Sequence, residues 1–138
     1  MNIYLAGCMG VQLELRGEAE KLQAQGHTIV SDWLYDNHPF TPGGIQEVND
    51  WVYREMGEAN FQDLSYADVV VVFNRKEQEC AGGHHVELGI ALGLHLPILL
   101  IGERQNPFHY VPLVHYYKEE QDWHQDPYLQ ERPGDIRG

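Results

Sequence analysis

The run ADVVVVF, residues 67 to 73, constrains this chain more than any other stretch. β-Branched side chains are stiff at χ1 and favour extended backbone. An apolar run without polar alternation reads as a strand covered on both faces, which is the situation of an interior strand in a mainly parallel sheet. LPILLI at 96 to 101 repeats the pattern, and shorter strand-like runs occur at 2 to 7 (NIYLAG) and 27 to 31 (HTIVS). The segments between them have helical spacing. Val11, Leu13, Leu15, Ala19 and Leu22 lead to Gly26, placed as a left-handed cap. Val48, Trp51, Val52, Met56, Ala59 and Leu64 predict a helix over 47 to 65, and a third is predicted over 85 to 94. The order β-α-β-α-β-α-β predicts a single-domain α/β fold, a Rossmann-like open parallel sheet with helices on both faces. In such a sheet ligands bind beyond the carboxyl ends of the strands, here the loops after Gly7, Ser31, Phe73 and Ile101.

Two segments fall outside this pattern. Residues 32 to 46 carry two prolines, two glycines and aromatic residues without periodicity, and read as a long loop whose Trp33, Tyr35 and Phe40 are expected to be exposed as a lid or interface. Residues 115 to 138 are polar and aromatic with two prolines, so no long helix is imposed on them. The expected division is a domain over 1 to 114 and a polar aromatic tail over 115 to 138.

Charge narrows the partners. With 21 acidic and 9 basic residues the chain carries a formal −12, which repels nucleic-acid backbones and anionic membrane surfaces. No stretch reaches the roughly 18 apolar residues of a membrane span. No polymeric nucleic acid and no membrane partner are expected, whereas a small nucleoside or nucleotide in a local pocket is compatible. Cys8 and Cys80 are far apart and form no CxxC, so neither a disulfide framework nor a zinc ribbon is signalled and the expected setting is a reducing cytoplasm. Neighbouring histidines such as His84 and His85 project about 100° apart on a helix and no HExxH is present. No metal and no cofactor is expected.

Glu87 in GGHHVELG stands at the entrance to the third predicted helix. One reading is an ordinary first-turn acid near a cap at Gly83, His84 or His85; the other is a carboxylate nucleophile, kept ionised by the helix end. Asp63 in DLSYAD falls near the end of the second helix, where a carboxylate opposes the dipole, and Asp68, just ahead of the valine strand, suits a turn role. Tyr4 lies in the first strand, where a buried hydroxyl needs a partner such as a carboxylate.

Taken together, IYLAG, NFQDLSYADVVVVF and GGHHVELGIALGLHLPILLIG resemble the nucleoside 2-deoxyribosyltransferase family and its 2′-deoxynucleoside 5′-phosphate N-hydrolase relatives, over residues 2 to about 112. The resemblance implies a flavodoxin-like fold and cleavage of the N-glycosidic bond of a deoxynucleoside. Glu87 matches the family's nucleophile, Tyr4 the tyrosine that orients it, and Asp63 the acid that serves the departing base. Transferases pass the sugar to another base and hydrolases to water. The second transferase acid is replaced by Ala81, leaving Asp63, Glu79 or water to protonate the base. The serines that hold a 5′-phosphate in the hydrolases are absent, which favours a free nucleoside, although the backbone of Gly7, Cys8, Met9 and Gly10 suits a phosphate. Trp33, Gly83, His84 and Asn106 complete the expected substrate contacts. The NPFHY segment resembles one that relatives donate to a neighbouring subunit, which implies a homo-oligomer. The alternative is a non-catalytic protein that senses a nucleotide or ADP-ribose-like ligand on the same fold; a phosphoribohydrolase matches GGHHVE only loosely.

Overall fold

The computed structural model of the chain describes residues 1–36, 50–75 and 80–130. Five strands form one sheet: β1 (Asn2–Ala6), β2 (Thr28–Ile29), β3 (Val69–Asn74), β4 (Ile98–Gly102) and β5 (Val114–Tyr117). Their order is β2-β1-β3-β4-β5, and every pairing is parallel. The helices are α1 (Gln12–Ala24), α2 (Asp50–Ser65) and α3 (Gly83–Gly93). This is the flavodoxin-like arrangement, in which the strand order reverses between β1 and β3. No helix among the described residues is long and apolar enough to cross a membrane.

The valine run forms β3 as predicted. Val69 to Val72 have no exposed surface, and Phe73 and Asn74 are buried too. Burial of each such side chain contributes about 1.5 kcal/mol or more, so the centre of the sheet anchors the fold. Side chains alternate across the strands. Tyr4 and Ala6 face α3, which packs with α2, while Ile3 and Leu5 point to the other face, where right-handed connection places α1 with its buried Leu15 and Leu22. Gly26 follows α1 with φ +95°, the left-handed cap that was expected.

Several expectations change. The second strand is only two residues long: past Val30, whose N donates to Ile3 O at 2.9 Å, side chains replace the ladder, Ser31 Oγ accepting from Leu5 N at 3.0 Å and Trp33 Nε1 donating to Leu5 O at 2.7 Å. Trp33 is therefore buried, not an exposed lid or interface residue. Tyr35 is exposed as expected, and Phe40 lies outside the described residues, as do 47 to 49 at the expected start of α2. Asp68 Oδ2 accepts from Asn2 N at 2.7 Å, clipping β1 to the turn before β3 in the role assigned to it.

The fifth strand was not anticipated in the segment set apart at 115. Beyond it, buried Trp123 meets Phe73 edge to face at 5.7 Å, and His124 Nε2 lies 3.0 Å from Glu18 of α1. Asp126, also buried, accepts from the Tyr117 hydroxyl at 2.6 Å and from Tyr128 N at 2.7 Å, and lies 2.8 Å from His115 Nδ1. Polar composition hid this docking because few side chains accomplish it: the Trp123 indole, Leu129 and the satisfied Asp126 carboxylate.

Candidate active site

Glu87 is the fifth residue of α3, one turn inside the helix instead of in its first turn. The helix starts from Gly82 in the left-handed region, φ +91°, with no side-chain cap. The simple capping reading of Glu87 therefore fails. Its side chain reaches Tyr4, whose hydroxyl donates to Glu87 Oε2. The contact crosses from α3 to β1 beside the β1/β3 reversal, where this fold class binds its ligands.

Burial controls the charge here. Removing the carboxyl from water pushes the Glu87 pKa up to about 7, against the opposing effect of the Tyr4 hydrogen bond. The expectation of a fully ionised carboxylate is thus corrected: the influence of the helix end falls off within the first turn, and desolvation wins at the fifth residue. Close to neutral pH Glu87 is divided between its two forms. The Tyr4 hydroxyl is pushed far above its ordinary range, first by burial and then by the Glu87 charge, so it stays a donor.

Asp63, near the end of α2, has its carboxylate turned to the start of the turn Asp32–Tyr35, accepting from Asp32 N at 3.1 Å. Its pKa is raised, chiefly by burial, with the charges of Asp32 and Asp36 adding to the effect and the Asp32 N–H opposing it. Its charge also reaches Tyr4, contributing to the upward shift of that hydroxyl. A carboxyl of raised pKa within electrostatic range of a tyrosine–glutamate pair is suited to proton donation. Asp32, the first residue of that turn, was missed by sequence reasoning; its backbone N–H, which orients Asp63, carries no sequence signal.

The other predicted contacts divide. Gly7, Cys8, Met9 and Gly10 form the loop leaving β1, with Met9–Val11 a 3-10 turn closed by Val11 N on Cys8 O at 3.1 Å. Gly83 and His84 open α3. His84 is buried, its Nε2 2.9 Å from Asn74 Oδ1, and burial first, then His85 and His109, lowers its pKa to about 4. Cys8 and Cys80 form a disulfide, with Cα atoms 5.5 Å apart. That overturns the expectation drawn from their spacing: 72 residues separate them in the chain, but the fold brings the loop after β1 against the loop before α3. Asn106 caps the 3-10 turn Pro107–Tyr110, its Oδ1 accepting from Phe108 N at 3.0 Å. Glu79 lies outside the described residues.

An open groove at the opposite edge is lined by Gln25, His27, His124 and Gln125 among others. Among the described residues its lining contains no carboxylate, so these offer none of the chemistry of the Tyr4–Glu87 pair.

No family model matches the chain, and no curated protein matches it. Solved structures do. The 2-deoxyribosyltransferase of Bacillus psychrosaccharolyticus superimposes with a TM-score of 0.63 at 21% identity, covering 89% of this chain and 93% of that one. The CMP N-glycosidase of Clostridium botulinum gives a TM-score of 0.59 at 16% identity over 88% of this chain and 91% of that one. Both likenesses span nearly the whole of each molecule and establish that this chain shares their α/β fold.

Proposed function

We propose that the chain is an enzyme that cleaves the N-glycosidic bond of a 2′-deoxynucleoside or its 5′-monophosphate through a deoxyribosyl ester on Glu87. The observation that carries this reading is the Tyr4–Glu87 hydrogen bond, a half-buried carboxylate held by a permanent donor beside the strand reversal. The activities named for the two similar structures, deoxyribosyl transfer and CMP N-glycoside cleavage, support the same bond as the target.

In this mechanism the ionised form of Glu87 attacks C1′ as the C1′–N bond breaks, through an oxocarbenium-like transition state. The bonding electrons leave with the base, which takes its proton from Asp63. Water or a second base then attacks C1′ of the ester while its proton passes to the Asp63 carboxylate, yielding free deoxyribose (or its 5-phosphate) or a new nucleoside and returning the Glu87 carboxylate. Tyr4 fixes one carboxylate oxygen and leaves the other for attack. A free nucleoside is the preferred substrate, given the few basic residues near the loop after β1. A homo-oligomer accords with exposed Phe108 and Tyr110 beside Asn106.

The test is incubation with a panel of deoxynucleosides and their monophosphates, with and without acceptor base, followed by chromatography of bases and nucleosides. Base release that disappears in Glu87→Ala, with the fold retained, is the expected result; undiminished release in that variant removes Glu87 from the role. The second reading, a ligand sensor without turnover, is favoured by Ala81 at the second acid position. Tight nucleoside binding with no product over long incubation would establish it instead.

A further inference from the structure

We propose that Cys8, Cys80 and His84, once the disulfide is reduced, form a binding site for a soft divalent metal ion such as Zn²⁺. Among the described residues, the two Sγ atoms and one ring nitrogen of His84 lie within 4.8 Å of one another. His84 Nδ1 is already 3.3 Å from Cys80 Sγ. Tetrahedral zinc with thiolate and imidazole ligands requires sulfur–nitrogen separations of about 3.5 Å and a sulfur–sulfur separation of about 3.8 Å, from the usual bond lengths. The two sulfurs must part, and reduction of their bond allows it.

The support behind His84 is built. Asn74 Nδ2 donates to Glu103 O at 2.9 Å and to Gln105 Oε1 at 3.0 Å, which fixes Asn74 Oδ1 as an acceptor. His84 Nε2, 2.9 Å from that oxygen, must therefore carry the hydrogen, and the Nδ1 lone pair faces sulfur. A metal-ligating histidine characteristically has its other ring nitrogen held by such an acceptor. Asn74 is itself held in place by the backbone: Glu103 N donates to Asn74 O at 2.8 Å, and a Cβ on Gly102 would overlap that same oxygen. Two thiolates and an imidazole leave the fourth tetrahedral position for water or a further ligand.

Bridge and ion exclude each other, because they use the same sulfurs. With a phosphine as reductant, the disulfide gains two electrons and two protons to become two thiols while the phosphine takes oxygen from water to become its oxide. The metal ion then displaces both thiol protons as the two metal–sulfur bonds form.

The site is tested by metal binding alone, with no readout from the proposed cleavage reaction. The full chain, reduced with a phosphine, is titrated with Co²⁺ and then Zn²⁺. One equivalent of Co²⁺ is expected to produce sulfur-to-cobalt charge-transfer absorption that Zn²⁺ abolishes, and Zn²⁺ is expected to protect both cysteines from alkylation. The unreduced protein serves as a control needing no substitution and is expected to show neither effect. Cys8→Ser and Cys80→Ser are expected to lose the absorption, and Asn74→Ala to weaken Co²⁺ binding about 10- to 100-fold by releasing His84. Absence of the absorption from the reduced, folded chain overturns the proposal. So does undiminished Co²⁺ binding in the unreduced protein or in the Cys8→Ser, Cys80→Ser double variant.

Discussion

Tyr4→Phe isolates the hydroxyl that holds Glu87. In the native chain burial drives the Glu87 pKa up to about 7 while the Tyr4 hydrogen bond pulls it down. A hydrogen bond to a charged group is worth about 1.5–3 kcal/mol. At about 1.4 kcal/mol per pH unit, its loss raises the pKa by a further one to two units. At pH 7 the ionised fraction falls from about one half to between roughly a tenth and a hundredth, which lowers turnover about 5- to 50-fold if the carboxylate is the attacking group. The assay is kcat for base release against pH. The acid limb is expected to move from near 7 to about 8 or 9, with the variant approaching native rates above it. A uniform loss with the limb unmoved would refute the reasoning, since it would show that Tyr4 does not control the charge on Glu87.

Stability carries the same signature in the opposite sense. Because the folded pKa of Glu87, about 7, lies above its unfolded value near 4.5, folding holds an extra proton between them, and the associated stability is present below 4.5 and lost as pH rises through 7. Glu87→Gln is expected to match the native protein near pH 4 and to exceed it by up to about 3 kcal/mol at pH 8, read from denaturant melts at both values. Gly102→Ala is expected to cost more than about 2 kcal/mol in the same melts, because the backbone there has φ +117° and the added Cβ would overlap the Asn74 carbonyl. Trp123→Ala is expected to cost about 3–5 kcal/mol by removing the buried indole from Phe73, with residues 118 to 130 becoming protease-sensitive.

The sheet was legible because its centre is written as uninterrupted apolar runs. Val69 to Val72 and Ile98 to Ile101 admit little besides doubly covered strands, and they set the architecture that carries the site. The weaker elements were legible only in part. HTIVS reads as a full strand, yet Ser31 and Trp33 side chains take over the ladder after Val30, a substitution that periodicity does not reveal. The strand at Val114–Tyr117 hides in a polar, aromatic stretch because it lies at the sheet edge and is half covered. Glu87, Tyr4 and Asp63 of the proposed site were singled out by residue type and resemblance, and the structure joins Tyr4 to Glu87 directly and puts Asp63 in electrostatic reach of Tyr4. The charge state of Glu87 was misjudged because desolvation is a property of the packed fold, whereas a helix end can be read from sequence. The Cys8–Cys80 bridge and the Asn74–His84 support were invisible for a related reason: each joins segments that only the folded chain brings together.

The central claim is a covalent bond between Glu87 and a deoxyribose, and rapid-quench mass spectrometry of the peptide containing Glu87 tests it most directly. During turnover of a deoxynucleoside, this account predicts a deoxyribosyl adduct on Glu87 that forms as base is released and decays when water or acceptor base is supplied. Base release at full rate with that peptide unmodified at every quench time, or with the adduct on another residue, would contradict it.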